Sequence, residues 1–299
     1  MTPRAQIVNI KLPDDGGNVA LHILDWGDVT ATQTIMCVHG LTRNAHDFDW
    51  VAPALAERGC RVISVDMPGR GDSPWLDDKG RYGYPLYVSA AIALLDNFHL
   101  RQVDWLGTSM GGIIGMMIAA TQPQRIRRLV LNDIGAHIDA AGLSRIISYV
   151  NTLPRTFADK AEAERYLRAN FAAFGIEKDA VWRAFIDHSL HEDEKGIRLK
   201  TDPDIIVPLR RDTKDFTEIA DVNLSAVWEA IRARTLILRG ADSDILSEST
   251  LKAMLAANIR ASSKVFDGCG HAPSLTTREQ IDYVVRFLTS QITDMTLPI

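Results

Sequence analysis

The sequence predicts an α/β fold: a mostly parallel sheet with helices on both faces and an inserted helical cap. Three observations predict it. Short runs rich in Val, Ile and Leu recur along the 299 residues, bounded by Gly or Asp, as strands buried on both faces do. Stretches with helical periodicity separate them, and such alternation supplies the crossovers that a parallel sheet requires. From about residue 136 to 230 the alternation stops, and charge-rich, helix-forming segments replace the strands.

The elements follow in order. Residues 7–11 and 19–24 alternate apolar with polar and predict an antiparallel edge pair. Residues 34–38, 61–65, 103–106, 129–131, 235–238 and 264–266 are compact apolar runs that predict central strands. Residues 52–58, 87–98, 111–121 and 278–290 read as helices closed by Gly, His or Pro signals. Inside the interruption, 161–174 and 181–188 are the clearest helical segments. The expected division is a sheet-bearing core of residues 1–135 and 231–299 with a cap of 136–230. An apolar share of 46% is enough for a large core, and neither repeats nor low-complexity tracts occur.

Charge narrows the partners. A formal net charge of -5 gives no broad basic field, so neither nucleic acid nor an anionic membrane is an expected partner. The first ten residues lack the unbroken apolar run of a secretory signal, and no stretch approaches the roughly eighteen apolar residues of a membrane span. A cytoplasmic location is expected. Cys37, Cys60 and Cys269 are an odd, sparse set without metal-ligand spacing, which fits reduced thiols.

The chemistry is concentrated in a few loops. Gly107-Thr108-Ser109-Met110-Gly111 follows an apolar strand and opens an apolar helix, the context in which Gly-x-Ser-x-Gly forms a sharp turn and pushes its serine outward. Glycine at 107 and 111 relieves crowding in that turn, and the helix N-terminus favours negative charge at Ser109. A serine hydroxyl needs a base at neutral pH. Of eight histidines, His271 in Gly268-Cys269-Gly270-His271-Ala272-Pro273 follows the last strand in a loop able to bring an imidazole over the sheet edge. A carboxylate should orient that imidazole. Asp244, deep in the loop after 235–238, is the preferred candidate; Asp242 is held in reserve and Asp133, after 129–131, comes third. The oxyanion formed on attack requires donors set in advance, expected to be the backbone N–H groups of Leu41 and Met110. His39 is read as a brace for the Leu41 loop.

These motifs together resemble the α/β-hydrolase superfamily, in particular its cap-bearing serine esterase and carbon-carbon hydrolase branch. The resemblance rests on His39-Gly40, on residues 66–73 (Asp-Met-Pro-Gly-Arg-Gly-Asp-Ser), on the turn around Ser109, on residues 240–244 and on Gly270-His271, in the family's order of Ser, acid, His. It implies that no metal or organic cofactor is needed and that residues 66–73 are a structural turn. It also implies cleavage of small carboxylic esters through an acyl-enzyme. A carbon-carbon bond hydrolase, enol-lactonase, thioesterase or perhydrolase would use the same three groups, and a non-enzymatic small-molecule binder is a more distant alternative. Leu41-Thr42-Arg43-Asn44 stands where ring-cleavage hydrolases carry a glycine-rich loop, which argues against dienoic-acid substrates. Arg43 is a candidate partner for a substrate carboxylate and Trp182 a candidate wall of the acyl pocket. Self-association is left open.

Overall fold

The computed structural model describes residues 1–13, 16–208 and 220–290. Its frame is an eight-stranded sheet. In chain order the strands are β1 (Arg4–Lys11), β2 (Asn18–Trp26), β3 (Thr34–Val38), β4 (Arg61–Val65), β5 (Val103–Thr108), β6 (Ile126–Asn132), β11 (Arg234–Gly240) and β12 (Ala261–Phe266). They lie side by side as β1-β2-β4-β3-β5-β6-β11-β12. β1 and β2 form the expected antiparallel pair at one edge, and β2 is antiparallel to β4; every pairing from β4 onward is parallel.

Both faces of the sheet are covered, which is why the central strands read as unbroken apolar runs. Helices α2 (Tyr84–Asn97) and α3 (Met110–Thr121) pack on one face, with Trp105 and Met36 fully buried beneath them. Helices α1 (Val51–Ala56) and α9 (Arg278–Thr289) cover the other, where Val284, Phe287 and Leu288 meet Cys37, Leu106 and Val130. Burying each of these α9 side chains contributes about 1.5–3 kcal/mol before chain entropy is subtracted. The amphipathic face of α8 (Glu248–Ala257) places Leu251 and Met254 in the first cluster. Cys37, Cys60 and Cys269 are all buried and unpaired.

The interruption between β6 and β11 holds helices α4 (Ala140–Asn151), α5 (Lys160–Asn170) and α6 (Asp179–Ser189). It also holds a hairpin, β8 (Leu190–Asp193) with β9 (Gly196–Leu199), where only helix was expected; Gly196 at φ 108° supplies the positive φ that the tight turn requires. A two-residue ladder of β7 (His137–Ile138) with β10 (Val222–Asn223) ties the two ends of the segment together. The last helix before β11, α7 (Ser225–Ala230), packs on α3, and Trp228 Nε1 donates to the Met254 carbonyl. Among the described residues no helix is long and apolar enough to cross a membrane.

Candidate active site

Ser109 stands between β5 and α3 with φ 50° and ψ -113°, a backbone conformation that non-glycine residues rarely adopt. Its neighbours impose it. A Cβ added at Gly107 would lie 2.3 Å from the Gly111 carbonyl oxygen, and one at Gly111 would lie 2.0 Å from that of Val38. The chain can therefore turn this sharply only with glycine at both positions. Ser109 N–H donates to the Asn132 carbonyl at 3.0 Å, and Gly111 N–H to that of His39 at 3.2 Å, so the turn is stitched to the ends of β6 and β3.

His271 comes over the sheet edge from the loop after β12. Its Nε2 lies 2.9 Å from Ser109 Oγ, and its Nδ1 lies 2.8 Å from Asp133 Oδ2. Because a carboxylate only accepts, Nδ1 carries the proton and Nε2 is left to accept from the serine hydroxyl. Asn132 steadies the histidine loop by donating from Nδ2 to the Pro273 carbonyl.

The carboxylate is Asp133, which corrects the expectation for Asp244. Asp133 follows β6 directly, is fully buried and has φ 57°. It also accepts from Gly240 N–H at 2.8 Å and Ser243 Oγ at 2.5 Å, bonds that offset the cost of burying its charge. The end of β11 and the loop after it thus supply donors to the acid instead of the acid itself. Asp244 is half-exposed and pairs with Arg145 on α4, accepting from Nη2 at 2.8 Å. Gly142 on α4 lies close enough that a Cβ there would be 2.6 Å from the Asp244 carbonyl oxygen. Asp244 therefore docks the cap onto the loop. Asp242 is exposed, with its N–H on the Cys269 carbonyl.

The loop of Leu41 is held from below. His39 Nδ1 donates to the Gly40 carbonyl at 2.6 Å, and Nε2 accepts from Met67 N–H at 3.0 Å, the bracing role expected of it. Burial pulls this imidazole down to about 4, so it stays neutral near pH 7. Arg70, fully buried, donates from Nε to the Leu41 carbonyl at 2.8 Å and from Nη1 to the Tyr87 hydroxyl at 2.7 Å. By fixing that carbonyl, Arg70 orients the loop, a role the sequence reading did not assign. Its only signal was a cationic residue within a glycine turn. Residues 66–73 form the structural turn expected of them: burial acts to raise Asp66, but His22, Ala45 and Asp72 donate to it and hold it below the usual carboxylate range. A Cβ at Gly71, φ 57°, would lie 2.2 Å from the Asp66 carboxylate.

Two residues expected to contact the substrate do not line the cavity of Ser109. Arg43 is buried, with Nε and Nη2 on the Asp47 carboxylate, Nη1 2.8 Å from Ser189 Oγ and its guanidinium 3.6 Å from the Phe185 ring centroid. These bonds join the Leu41 loop to α6 and commit the guanidinium to Asp47 and Ser189, and Arg43 does not line the cavity of Ser109. Trp182 packs edge-on to Phe185 and donates to the Ile176 carbonyl inside the cap, away from the cavity that Ser109 lines.

That cavity has a volume of about 800 Å³. Ser109, Met110 and Leu41 line its floor side, and Leu143, Ile146 and Ile147 bring α4 into its wall. The Leu41 and Met110 N–H groups make no hydrogen bond among the described residues. A hydroxyl, an imidazole and a carboxylate in series beside an apolar cavity form the arrangement that activates a serine as nucleophile.

Comparison with known proteins identifies the family. The profile of the alpha/beta hydrolase family matches residues 35–282. The chain is 36% identical over 292 residues to the 3-hydroxybutyrate-oligomer hydrolase of Cupriavidus necator, covering 96% of this chain and 98% of that one. It is 28% identical to the 2-hydroxymuconate semialdehyde hydrolase of a Pseudomonas species, covering 85% and 83%. Among solved structures, an alpha/beta hydrolase from Novosphingobium aromaticivorans superposes with a TM-score of 0.82 at 30% identity, covering 96% and 99%.

Proposed function

This chain belongs to the α/β-hydrolase family and is a hydrolase, and we propose that it cleaves carboxylic esters of small molecules through an acyl-enzyme on Ser109. The observation that carries the proposal is the hydrogen-bonded series Ser109–His271–Asp133, at 2.9 and 2.8 Å, opening on the apolar cavity.

The steps follow from the geometry. His271 Nε2 takes the Ser109 proton as Oγ attacks the carbonyl carbon. Asp133 holds the imidazole in the tautomer that can accept, and stabilises the cation that forms. Negative charge moves to the carbonyl oxygen, where the Leu41 and Met110 N–H groups receive it; these are worth about 3–4 kcal/mol each in such a site. The tetrahedral species collapses, the C–O bond breaks, and the departing alcohol takes the proton from His271. Water then enters, gives a proton to His271 and attacks the acyl carbon, and the acid leaves as Ser109 regains its proton. An oligomer of 3-hydroxybutyrate, the substrate in the name of the Cupriavidus relative, is a chain of such esters when joined hydroxyl to carboxyl. That makes oligo-hydroxyacids the first substrates to try.

Ser109→Ala should lose turnover of 4-nitrophenyl butyrate while keeping the wild-type circular dichroism spectrum. Retained turnover would sink the assignment. The Pseudomonas relative keeps carbon-carbon cleavage as a second reading, and product analysis on vinylogous diketones alongside esters separates the two.

A further inference from the structure

Arg81 is the sole charged side chain among the described residues lining the Ser109 cavity. The rest of that wall is aliphatic, aromatic or uncharged polar. Arg81 ends the short turn Lys79–Arg81, and its Nη2 donates to the Gly16 carbonyl at 2.6 Å. That bond anchors one corner of the guanidinium and leaves its other N–H groups without a partner among the described residues. Arg43 and Arg70, both buried near the site, are committed to Asp47 and to the Leu41 carbonyl, whereas Arg81 is partly exposed. A partly exposed cation beside an apolar wall offers a ligand of opposite charge a contact that water screens only in part. Tyr84 lines the same cavity, and burial raises its phenol well above the usual value, so it remains a neutral hydroxyl beside the site.

We propose that Arg81 binds a free carboxylate on the substrate. The substrate class is then an ester whose apolar body lies along Leu143, Ile146 and Ile147 and whose terminal carboxylate reaches the 79–81 turn, as in a short linear oligomer of a hydroxy acid. A guanidinium and a carboxylate make paired, charge-assisted hydrogen bonds with a fixed orientation, so the same contact selects the acid and sets which ester bond lies over Ser109. The proposal rests on the reading that Ser109 cleaves esters, and its test separates the two.

The probes are the linear dimer of 3-hydroxybutyric acid and its terminal carboxamide, which differ only in the charge. In wild type, KM for the acid should be at least about tenfold below that for the carboxamide, with similar kcat. Arg81→Gln should bring the two KM values together by weakening the acid, and Arg81→Lys should restore part of the gap. A wild type without preference, or an Arg81→Gln enzyme that keeps it, would overturn the proposal. Calorimetry on Ser109→Ala measures the same preference as binding, so it stands or falls there even if Ser109 proves not to be the nucleophile. Turnover of 4-nitrophenyl butyrate, which has no carboxylate, reports the Ser109 reading alone.

Discussion

Asp133 and His271, 138 positions apart in sequence, meet at 2.8 Å because β6, which precedes Asp133, and β12, which precedes the His271 loop, flank β11 in the sheet. The loop after β6 carries the carboxylate, and the end of β11 and the loop that follows wrap it with Gly240 N–H and Ser243 Oγ.

That arrangement predicts unequal costs at two aspartates. Asp133→Asn removes the charge that stabilises the imidazolium and favours the wrong tautomer, so kcat should fall by roughly 10³–10⁴-fold. Asp244→Asn loosens a half-exposed pair with Arg145 and should change kcat less than about threefold. Ester hydrolysis by the two variants decides it, and the reverse order would restore Asp244 as the acid.

The sharp turn at Ser109 predicts a folding defect from a single methyl group. Gly111→Ala places Cβ 2.0 Å from the Val38 carbonyl oxygen, a rigid backbone atom. Stability should drop by more than about 3 kcal/mol, read as a large fall in Tm or in soluble yield. Gly17→Ala offers a comparison, since nothing lies within 4 Å of the added Cβ and only its φ of 75° is strained.

Arg43 should matter for stability. Arg43→Met leaves the Asp47 carboxylate, which burial already raises, without its cation and removes the donor to Ser189 Oγ. Breaking such a pair costs about 3–5 kcal/mol. Urea unfolding should show it, and the ratio of KM values for acid and carboxamide substrates should stay near wild type.

His39 predicts a pH dependence of stability. Burial depresses its folded value to about 4 from the ordinary 6.5, so between those values the unfolded chain binds the extra proton. Its contribution is complete above about 6.5 and is lost as pH falls towards 4. Unfolding free energies at pH 7 and pH 5 should differ less in His39→Gln than in wild type. An equal difference in both would mean that His39 is not the group responsible.

Much of this site was legible locally. The turn around Ser109 was legible because strand, two glycines and apolar helix act over a dozen neighbouring residues, and a steric conflict of that range is written in the sequence itself. His39 as a brace and residues 66–73 as a structural turn were legible for the same reason. The hairpin Leu190–Asp193 with Gly196–Leu199 was not, since its period-2 pattern spans only four residues a side and sits among helical segments.

By itself, then, the sequence determined the strands, their helical cover, the outward serine and the histidine loop, all of which follow from hydrophobic period and glycine sterics within short windows. Tertiary structure alone decided which of three aspartates faces His271, that Arg43 and Trp182 are engaged in cap packing, and that Arg81 is the cation among the described residues of the cavity wall. Those outcomes depend on which strand ends adjoin and which donors are already taken, and such distances between remote residues exist only once the sheet order and the docking of α4 and α6 are set.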